Sequence, residues 1–343
     1  MHQIDNPKLF GDRLLAWYAT HKRSLPFRDV YNPYYTLVSE LMLQQTQMET
    51  AVPYFIRFVE RYPTVCDLAR ASIEDVLKLW EGLGYYRRAH HLHEAAKTVC
   101  DVYHGTFPKD LALIESLKGV GRYTARAIHS IAFEQPSVAV DGNVLRVMTR
   151  VLRYDADVMK EQTRRTIETV LEPVIQHQKP SDFTQAMMEL GATICQKKPQ
   201  CERCPLQAMC EAYAQGDPSA YPVKSVKKDK IRNAVQVFVY AEDDHYLLVQ
   251  RPDNGLLANL YTFWQDENDF EMAVKNFEQT YGVNVVHHQI LTTFNHVFSH
   301  VVWEMTVHLI STQHPVRAKL YDLTTFPYAI AKAHLKIREI LLK

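Results

Sequence analysis

The sequence predicts a multi-domain protein in which an all-α domain over residues 1–213 precedes an α+β domain over residues 234–343. The chain has 343 residues, enough for about two domains of roughly 150 residues each. Apolar residues recur at three- and four-residue spacing up to residue 213, whereas a pattern rich in Val, Tyr, Phe and Thr begins at Ala234. Residues 214–233, rich in Gly, Pro, Ser and Lys, are typical of an exposed linker.

The composition excludes several classes of protein. Lys and Arg number 39, as do Asp and Glu, so the formal net charge is zero; 47% of the residues are hydrophobic and 23% are charged. These values exclude a disordered chain, a collagen-like chain and a polybasic chromatin protein. The apolar runs are shorter than a membrane span, and the polar N-terminus lacks the order of a secretory signal, so we expect a cytoplasmic protein without a membrane partner.

The first domain is predicted to consist of short helices separated by Pro and Gly. Their apolar residues repeat with helical spacing over Asp12–Tyr18, Val38–Gln47, Val52–Tyr62, Ile73–Leu79, Ala89–Val102, Tyr123–Phe133, Asn143–Leu152 and Arg164–Ile175. No alternating strand pattern is convincing in this part of the chain.

The second domain is predicted to combine strands with two helices. The strand-like stretches are Ala234–Ala241, Tyr246–Gln250, Val283–Thr292 and Val301–Ile310. The helical stretches are Glu271–Tyr281 and Ala329–Leu342.

Four of the six cysteines are crowded together: Cys195, Cys201, Cys204 and Cys210 are separated by gaps of five, two and five residues. Four thiolates this close are typical of one metal centre, either zinc or an iron–sulfur cluster. The wide outer gaps favour a 4Fe–4S cluster, because structural zinc sites usually pair their cysteines more closely. The basic residues of this cysteine loop either contact a phosphate or merely offset the negative charge of the metal centre. Cys66 and Cys100 are expected to be core residues in a reducing cytosol.

Two further segments carry polar chemistry. Gly119 and Gly121 form a G-x-G turn between helical stretches, which either binds a phosphate with its amides or is an ordinary helix–helix turn. Asp141 stands where an apolar stretch meets an amphipathic helix, a position at which Asp is commonly a helix N-cap.

Taken together, these motifs resemble a known family. The glycine hairpin, the sequence V-D-G-N-V-L-R-V over 140–147 and the four cysteines resemble the base-excision DNA glycosylases of the endonuclease III superfamily. The sequence L-M-L-Q-Q-T-Q over 41–47, preceded by Glu40, resembles the MutY adenine-DNA glycosylases within it. The resemblance implies a helix–hairpin–helix domain with a 4Fe–4S loop over 195–210 and a Nudix-like second domain.

The resemblance assigns a catalytic group. It implies that Glu40 is the acid that protonates adenine and that Asp141 is the carboxylate that stabilises an oxocarbenium-like sugar. It implies that Asn143 helps to order the site. Tyr123 stands where bifunctional relatives carry a Lys that forms a Schiff base, so the resemblance implies a monofunctional glycosylase.

The resemblance also assigns residues to DNA. The adenine pocket would be lined by Arg23, Leu25, Phe27, Arg28, Leu43 and Thr46. The wedge residues near the opposite base would be Gln45 and Tyr85, and the hairpin contact with DNA would come from Gly119 and Gly121. The chain departs from the family pattern in two places: the family commonly has Trp where Phe27 stands, and its first cysteine gap is usually six residues rather than five.

In the second domain, Arg251-Pro252 and the segment from Gly255 to Tyr261 resemble a Nudix fold. The helix over Ala273–Gly282 has a single Glu and lacks the clustered carboxylates of an active Nudix hydrolase, which predicts a recognition domain without hydrolase activity. Phe298, Ser299 and His300 match the family's contact with 8-oxoguanine, and His296 is a candidate for supporting them.

The resemblance thus implies a monomer that acts on duplex DNA containing adenine opposite 8-oxoguanine or guanine. A bifunctional glycosylase, or one that removes thymine or uracil, is a first alternative, which Tyr123 and the Gln44-Gln45 pair disfavour. A non-catalytic DNA-damage-binding module would keep the hairpin and the cysteines without needing Glu40 and Asp141. A pyrophosphatase is disfavoured by the degenerate Nudix helix.

Overall fold

A computed structural model describes residues 3–225 and 229–343. The described residues fall into two compact units, one of residues 3–70 with 91–225 and the other of residues 71–90 with 229–343. Lys227 and Lys228 of the predicted linker lie outside the described residues. Within the described ranges, no helix has both the length and the apolar character needed to cross a membrane.

The part of the chain up to residue 214 is helical, and its described residues contain no strand. In chain order the helices are α1 (Pro7–His21), α2 (Pro33–Leu43), α3 (Met48–Arg61), α4 (Val65–Arg70), α5 (Ile73–Trp80), α6 (Arg87–Asp101), α7 (Leu111–Glu115), α8 (Arg122–Ile131), α9 (Gly142–Val151), α10 (Glu161–Ile175), α11 (Pro180–Thr193) and α12 (Glu211–Ala214).

Local sequence signals explain where α1 and α2 begin. Asn6 caps α1 by accepting a hydrogen bond from the Leu9 amide, and Asn32 caps α2 by accepting one from the Tyr34 amide at 2.9 Å. Each cap is followed by a Pro at the first helical position, whose fixed φ favours a helix start. Both helices therefore begin earlier than their apolar spacing alone predicts.

The core of the first unit lies among α1, α9, α10 and α11. Helix α11, which the sequence analysis does not predict, contributes Phe183, Met187 and Leu190, each no more than 2% exposed. Two of its residues between these apolar positions, Gln185 and Glu189, are also buried, so its polar face is not turned to solvent. A helix buried on most of its surface lacks the clear amphipathic pattern by which surface helices are recognised.

The expectation that Cys66 and Cys100 are unpaired core residues is wrong. Their sulfur atoms form a disulfide that joins α4 to the end of α6, with a Cα–Cα distance of 5.2 Å. Two isolated cysteines in sequence give no pairing signal, because the approach of α4 to α6 is a tertiary feature. Cys195, Cys201, Cys204 and Cys210 are free thiols.

The second unit contains a mixed sheet between two helices. The strands are β1 (Ile231–Glu242), β2 (His245–Gln250), β3 (Tyr261–Asp266), β4 (Val285–Val297), β5 (Val301–Thr312) and β6 (Leu320–Asp322), in the order β4-β5-β1-β3-β2-β6. Strands β1 and β5 are parallel, with Ile231 opposite Val301, and the other pairings are antiparallel. Alternate residues of β1 point to opposite faces. Val237 and Val239 pack with α14 (Lys332–Leu341), and Phe238 and Tyr240 pack with α13 (Phe270–Tyr281).

Several predicted boundaries in the second unit are wrong. Strand β1 begins at Ile231, inside the predicted linker, and strands β3 and β6 are not predicted at all. Strand β4 continues to Val297 rather than ending at Thr292, because β5 pairs with it along that length. Residues 298–300 are therefore the tight connection of the β4–β5 hairpin, and not part of a long loop.

Residues 71–90 lie in the second unit, although the sequence analysis places them in the domain of residues 1–213. Their attachment is polar and specific. The Lys78 ammonium donates to the Phe326 and Tyr328 carbonyls at 3.2 and 3.1 Å, and the Glu81 carboxylate accepts from the Ile330 amide at 2.7 Å. Contacts between residues so distant in sequence give no signal in periodicity or composition.

The packing of α9 against α11 generates a test of the fold. A Cβ atom at Gly191 would lie 2.5 Å from the Cβ of Asn143 and 3.1 Å from its Cα. We expect Gly191→Ala to force the two helices apart and to lower the free energy of unfolding by about 1–3 kcal/mol, measured by urea denaturation.

The matched control is Gly142→Ala at the start of α9, where a Cβ meets nothing within 4 Å. This variant is expected to be neutral or more stable by up to about 1 kcal/mol, because Ala favours the helix. Equal stability of the two variants would contradict the close approach of α9 to α11.

Candidate active site

One large cavity of about 1210 Å³ lies within the first unit and collects most of the predicted site residues. The side chains that line it come from α2, α8, α9, α10 and α11 and from the segments that precede α2 and α3. The predicted residues in its wall are Arg23, Phe27, Arg28, Glu40, Leu43, Gln45, Thr46, Gly119, Gly121, Tyr123, Asp141 and Asn143. Leu25 is not part of the cavity wall, although its carbonyl accepts a hydrogen bond from the Arg28 amide.

Glu40 is a buried acid on an otherwise apolar turn of α2, and only 8% of it is exposed. Burial raises the pKa of its carboxyl to about 7, and the negative charge of Asp141 adds to the rise. The Tyr123 hydroxyl donates a 2.6 Å hydrogen bond to Glu40 Oε2, which lowers the pKa and so limits the shift. Near neutral pH, Glu40 is therefore protonated in part of the molecules, where it can give a proton, and ionised in the others, where it can accept one.

Tyr123 is the second residue of α8, directly after the glycine hairpin. Burial and the carboxyls of Glu40 and Asp141 raise the pKa of its phenol well above the ordinary value. The phenol therefore stays protonated and can act only as a hydrogen-bond donor to Glu40. It has no amine with which to attack a sugar carbon.

Asp141 is the N-cap of α9, as its sequence position predicts. Its Oδ1 accepts from the Val144 amide at 2.8 Å, and its Oδ2 accepts from the Asn143 side-chain amide at 2.8 Å. Burial raises the pKa of Asp141, but these hydrogen bonds stabilise the carboxylate and oppose the rise. The hydrogen bonds that Asp141 accepts at the start of α9 also hold its carboxylate at the cavity wall, so capping is compatible with a catalytic role.

A buried carboxylate that sequence reasoning missed organises the expected base pocket. Glu189, only 1% exposed, accepts hydrogen bonds from Arg23 Nε at 2.7 Å and from Arg28 Nη2 at 2.8 Å. Burial opposes its ionisation, but the bonds from the two arginines outweigh that cost and lower its pKa. Arg23 and Arg28 are thus held by an ion pair and are not free cations. The only signal for Glu189 in the sequence is a carboxylate among the apolar residues of α11, a helix that the apolar spacing does not predict.

The remaining predicted pocket residues lie on either side of α2. The Phe27 ring packs edge-on against Phe55, with 5.2 Å between centroids, so it forms part of an aromatic wall. Leu43 and Thr46 line the cavity just beyond it. Gln45 is exposed at the cavity edge and has a φ of 58°, a left-handed conformation that is uncommon for a residue other than glycine.

The glycine hairpin leaves a helix N-terminus open. Gly119 has a φ of 75°, and a Cβ there would lie 2.3 Å from the Cβ of His91, so only glycine fits. Gly121 is the N-cap of α8 in an extended conformation, and a Cβ there would meet nothing within 4 Å. No side chain caps α8. Its first amides therefore point into open space at the cavity edge, where the helix dipole favours an anion.

Two arginines on α9 attach the cysteine loop to the active site. Arg146 donates to the Asn143 side chain at 2.8 Å and to the Cys195 carbonyl at 2.7 Å. Arg150, about one turn later on α9, donates to the Cys195 sulfur at 3.2 Å and to the Gln196 carbonyl at 2.6 Å. The capping residues at the cavity and the cysteine loop are thus held by one helix.

The four free cysteines line one apolar cavity together with Leu190, Ile194 and Leu206. Burial raises the pKa of Cys201 and of Cys210, and raises that of Cys204 to about 12. Backbone amides donate to sulfur at Cys204 and Cys210 and oppose that rise. Among the described residues, no three His, Cys, Asp or Glu side chains are placed to share a single metal ion.

Tyr85 and the 298–300 tripeptide lie in the second unit rather than at the cavity. Tyr85 is 46% exposed, at the tip of a turn where its φ is 51°. Phe298 packs against Trp303, with 4.8 Å between ring centroids, while Ser299 and His300 are exposed at the hairpin tip. His296 packs against Phe298, with 4.6 Å between centroids, and burial lowers its pKa, which keeps its imidazole neutral.

Several residues that the sequence did not single out also line the cavity, and two of them contact the predicted site residues or their backbone. Arg164 of α10 donates to the Val140 carbonyl beside Asp141, and Met188 of α11 places its sulfur 3.9 Å from the Tyr123 hydroxyl. Neither belongs to a recognisable motif. Both reach the site only because α10 and α11 pack around α8 and α9.

Comparison with known proteins places both parts of the chain. Residues 38–173 match the family model of the HhH-GPD superfamily base excision DNA repair proteins, and residues 235–339 match that of the NUDIX domain. Among solved structures, a non-covalent endonuclease III–DNA complex is similar, with a TM-score of 0.51 and 27% identity over 60% of this chain and 94% of that chain.

Curated relatives match both units. An adenine DNA glycosylase of Mus musculus is 34% identical over 85% of this chain, which spans 68% of that relative's length. An adenine DNA glycosylase of Buchnera aphidicola subsp. Baizongia pistaciae is 32% identical, over 85% of this chain and 83% of the relative. The chain therefore belongs to the adenine DNA glycosylases, within the HhH-GPD superfamily of base excision DNA repair proteins.

Proposed function

We propose that this protein is a monofunctional glycosylase that releases adenine from duplex DNA in which adenine is paired with 8-oxoguanine or guanine. The observation that carries the proposal is the buried Glu40 carboxyl, with a pKa raised to about 7, in the same cavity as Asp141 and hydrogen-bonded to Tyr123 at 2.6 Å. A damage-binding module would have no need of such a pair. Burying a carboxyl costs stability, and a carboxyl with a strongly raised pKa is therefore typical of a catalytic site.

In the proposed reaction, protonated Glu40 gives its proton to a ring nitrogen of the extruded adenine, which weakens the bond between the base and the sugar. Asp141, ionised, stabilises the positive charge that develops on the sugar as that bond breaks. Water adds to the sugar carbon and passes a proton to the Glu40 carboxylate, which restores the acid and leaves an abasic site and free adenine. Tyr123 holds Glu40 in place and forms no covalent intermediate, so strand cleavage by a Schiff base is not part of the reaction.

The surroundings give the two carboxyls different roles. Asp141 accepts two hydrogen bonds, from the Val144 amide and the Asn143 side chain, and both favour its charged form. Glu40 accepts the Tyr123 hydrogen bond in an apolar turn, and its neutral form is favoured by burial. Two carboxyls whose environments separate their protonation states form a recurrent acid and stabiliser pair.

DNA recognition is proposed to use both units. The open N-terminus of α8 at Gly121 suits a backbone phosphate, because its amides lack a capping side chain. Gln45 and Tyr85, both exposed and both at positive φ, are suited to replace the extruded base. The exposed Ser299 hydroxyl at the hairpin tip is suited to distinguish 8-oxoguanine by a hydrogen bond, and Phe298 anchors that tip.

A 4Fe–4S cluster is the cofactor that fits the cysteine loop best. Four thiols line one cavity, and the outer gaps of five residues between them are wider than those usual in structural zinc sites. In a cubic cluster each cysteine binds a different iron, which tolerates wider spacing. Cys195, Cys201, Cys204 and Cys210 would hold it, and Arg150 would offset its negative charge. When bound, the cluster would crosslink the loop that α9 supports.

The second unit is proposed to recognise the lesion without hydrolysing nucleotides. On α13 the Glu278 carboxylate accepts a hydrogen bond from the Val285 amide at 2.8 Å, so it serves the turn into β4. The helix lacks the clustered carboxylates that a Nudix hydrolase uses.

The first prediction concerns the acid. Glu40→Gln removes the proton donor and is expected to slow adenine release from a duplex with adenine opposite 8-oxoguanine by about 10²–10⁴-fold, while binding of that duplex persists. Single-turnover kinetics and a binding titration measure the two effects.

Stability provides a control for folding of this variant. In the wild type the folded-state pKa of Glu40 is raised from 4.5 to about 7, so stability is lost as pH rises through that interval. Gln does not ionise, so Glu40→Gln should resist urea better than the wild type above pH 7 and lose that advantage in acid. A variant that releases adenine at the wild-type rate would remove Glu40 from the role of acid.

The second prediction concerns pH. Because protonated Glu40 is the reactive form, the single-turnover rate should fall as pH rises through about 7. Tyr123→Phe removes the hydrogen bond that lowers the Glu40 pKa, so the fall should move to higher pH. A pH–rate profile of both proteins measures the shift, and an unchanged alkaline limb would contradict the proposed role of Tyr123.

The third prediction concerns the metal. The purified protein should contain iron and acid-labile sulfide, and Cys204→Ser should lower both and destabilise the first unit. Cys66→Ser serves as the matched control, because Cys66 is in a disulfide and should leave the iron content unchanged. Metal analysis that finds stoichiometric zinc and no iron in the wild type would refute the cluster.

A further inference from the structure

The segment of residues 71–90 links the two proposed lesion contacts. It carries Tyr85, and it lies in the same compact unit as Phe298–His300. The proposed acid Glu40 and the adenine pocket lie in the other unit. Tyr85 and the hairpin tip, which would both meet the base opposite adenine, are therefore in one unit although they come from distant parts of the chain, whereas Gln45 is in the unit of Glu40.

Four side chains of this segment make polar contacts with the rest of the second unit, and Lys78 and Glu81 make the shortest, while Tyr86 and His90 contact the Ile330 and Ala258 carbonyls at 3.5 and 3.3 Å. Lys78 Nζ donates to the carbonyls of Phe326 and Tyr328, and it pairs with Glu81 Oε2 at 2.9 Å. Glu81 Oε1 accepts from the Ile330 amide at 2.7 Å. We call this arrangement the Lys78–Glu81 clasp. The two side chains are only 33% and 16% exposed, so the clasp is partly desolvated, unlike an ordinary surface ion pair.

The clasp reaches the central sheet through a short path. An isolated β-bridge between Tyr261 and Ile330 joins the backbone that Lys78 and Glu81 bind to strand β3. The Tyr261 amide donates to the Ala329 carbonyl at 2.9 Å, and the Ala331 amide donates to the Tyr261 carbonyl at 2.9 Å. The backbone to which Lys78 and Glu81 bond is therefore joined to β3 by main-chain hydrogen bonds, which are displaced less easily than side-chain contacts.

The same segment holds Tyr85 in a defined place. The Gly84 carbonyl accepts from Trp80 Nε1 at 3.1 Å and from Arg88 Nη2 at 2.9 Å. The Arg88 guanidinium lies 5.3 Å from the centroid of the Tyr85 ring and 5.4 Å from that of Trp80. Gly82, Gly84 and Tyr85 all have positive φ, a conformation that is unfavourable for Tyr85 and is kept by these contacts. Any displacement of α5 would thus be passed to the exposed Tyr85 ring.

We propose that Lys78 and Glu81 are positioning residues that fix Tyr85 to the lesion-reading sheet, and that they thereby set the preference for adenine opposite 8-oxoguanine over adenine opposite guanine. This inference rests on the proposed function. Tyr85 and the hairpin tip at Phe298–His300 then engage the opposite base together. Without the clasp, Tyr85 would contact DNA independently of the hairpin tip. Binding of 8-oxoguanine by the tip would then no longer favour insertion of the Tyr85 ring.

The test compares adenine release from two duplexes, with 8-oxoguanine or guanine opposite adenine, under single-turnover conditions. Lys78→Met and Glu81→Gln are each expected to lower the ratio of the two rates by about tenfold, in the range of measured couplings between contacting residues. Lys78→Arg, which retains the charge and the donors, should restore most of the ratio. A merely structural role would slow both duplexes equally and leave the ratio unchanged, and that result would overturn the inference.

The chain offers a matched control in Lys97 and Glu94. This pair has the same residue types and helical spacing on α6, but its atoms are 3.9 Å apart and the side chains are 45% and 59% exposed. Lys97→Met and Glu94→Gln should leave the ratio of rates unchanged. A loss of the ratio in these variants too would mean that charge alone, and not the clasp, sets the preference.

Hydrogen exchange separates failure of this inference from failure of the proposed function. In Lys78→Met the amides of residues 82–86 and of Ile330 should exchange faster than in the wild type, whatever the enzymatic activity. A wild-type protein that releases no adenine from either duplex would overturn the proposed function. Unchanged exchange in the variant would overturn the clasp itself.

Discussion

The chain of hydrogen bonds along α9 is the interaction on which the active site depends. It runs from the Asp141 carboxylate through the Asn143 side chain to Arg146 and on to the Cys195 carbonyl. One helix thereby fixes the proposed stabilising carboxylate at its N-terminus and the cysteine loop along its side. The position of Asp141 at the cavity wall thus depends on how well that loop is folded, because Arg146 is shared between them.

The cavity is organised by the cost of burying charge. Glu189 is kept ionised by two arginines, whereas Glu40 is bonded by the Tyr123 hydroxyl, and burial raises its pKa to about 7, so that part of it keeps a proton near neutral pH. A buried arginine beside Glu40 would lower its pKa and leave it ionised near neutral pH, with no proton to donate. The stability lost by burying an uncompensated carboxyl is the physical cost of having an acid there at all.

The division of the chain into two units does not follow the order of its residues. Residues 71–90 leave the helical unit between Cys66 and Cys100, whose disulfide joins α4 to α6 on either side of this excursion. The excursion is held to the second unit by Lys78 and Glu81, and it carries the exposed Tyr85. In the proposed function, the adenine pocket belongs to the first unit and the hairpin tip and Tyr85 belong to the second, and each unit has its own hydrophobic core.

The sequence by itself determined the order of helical and mixed domains, the four-cysteine loop, the glycine hairpin and the cap at Asp141, because each depends on residues close together in the chain. Motifs around Glu40 and Tyr123 likewise indicated a family. Only the tertiary structure decided that Tyr123 bonds Glu40, that Glu189 neutralises Arg23 and Arg28, and that Cys66 meets Cys100. It also decided that β4 extends to Val297 and that residues 71–90 join the second unit. These features depend on contacts between distant residues, and periodicity and composition carry no information about which distant residues meet.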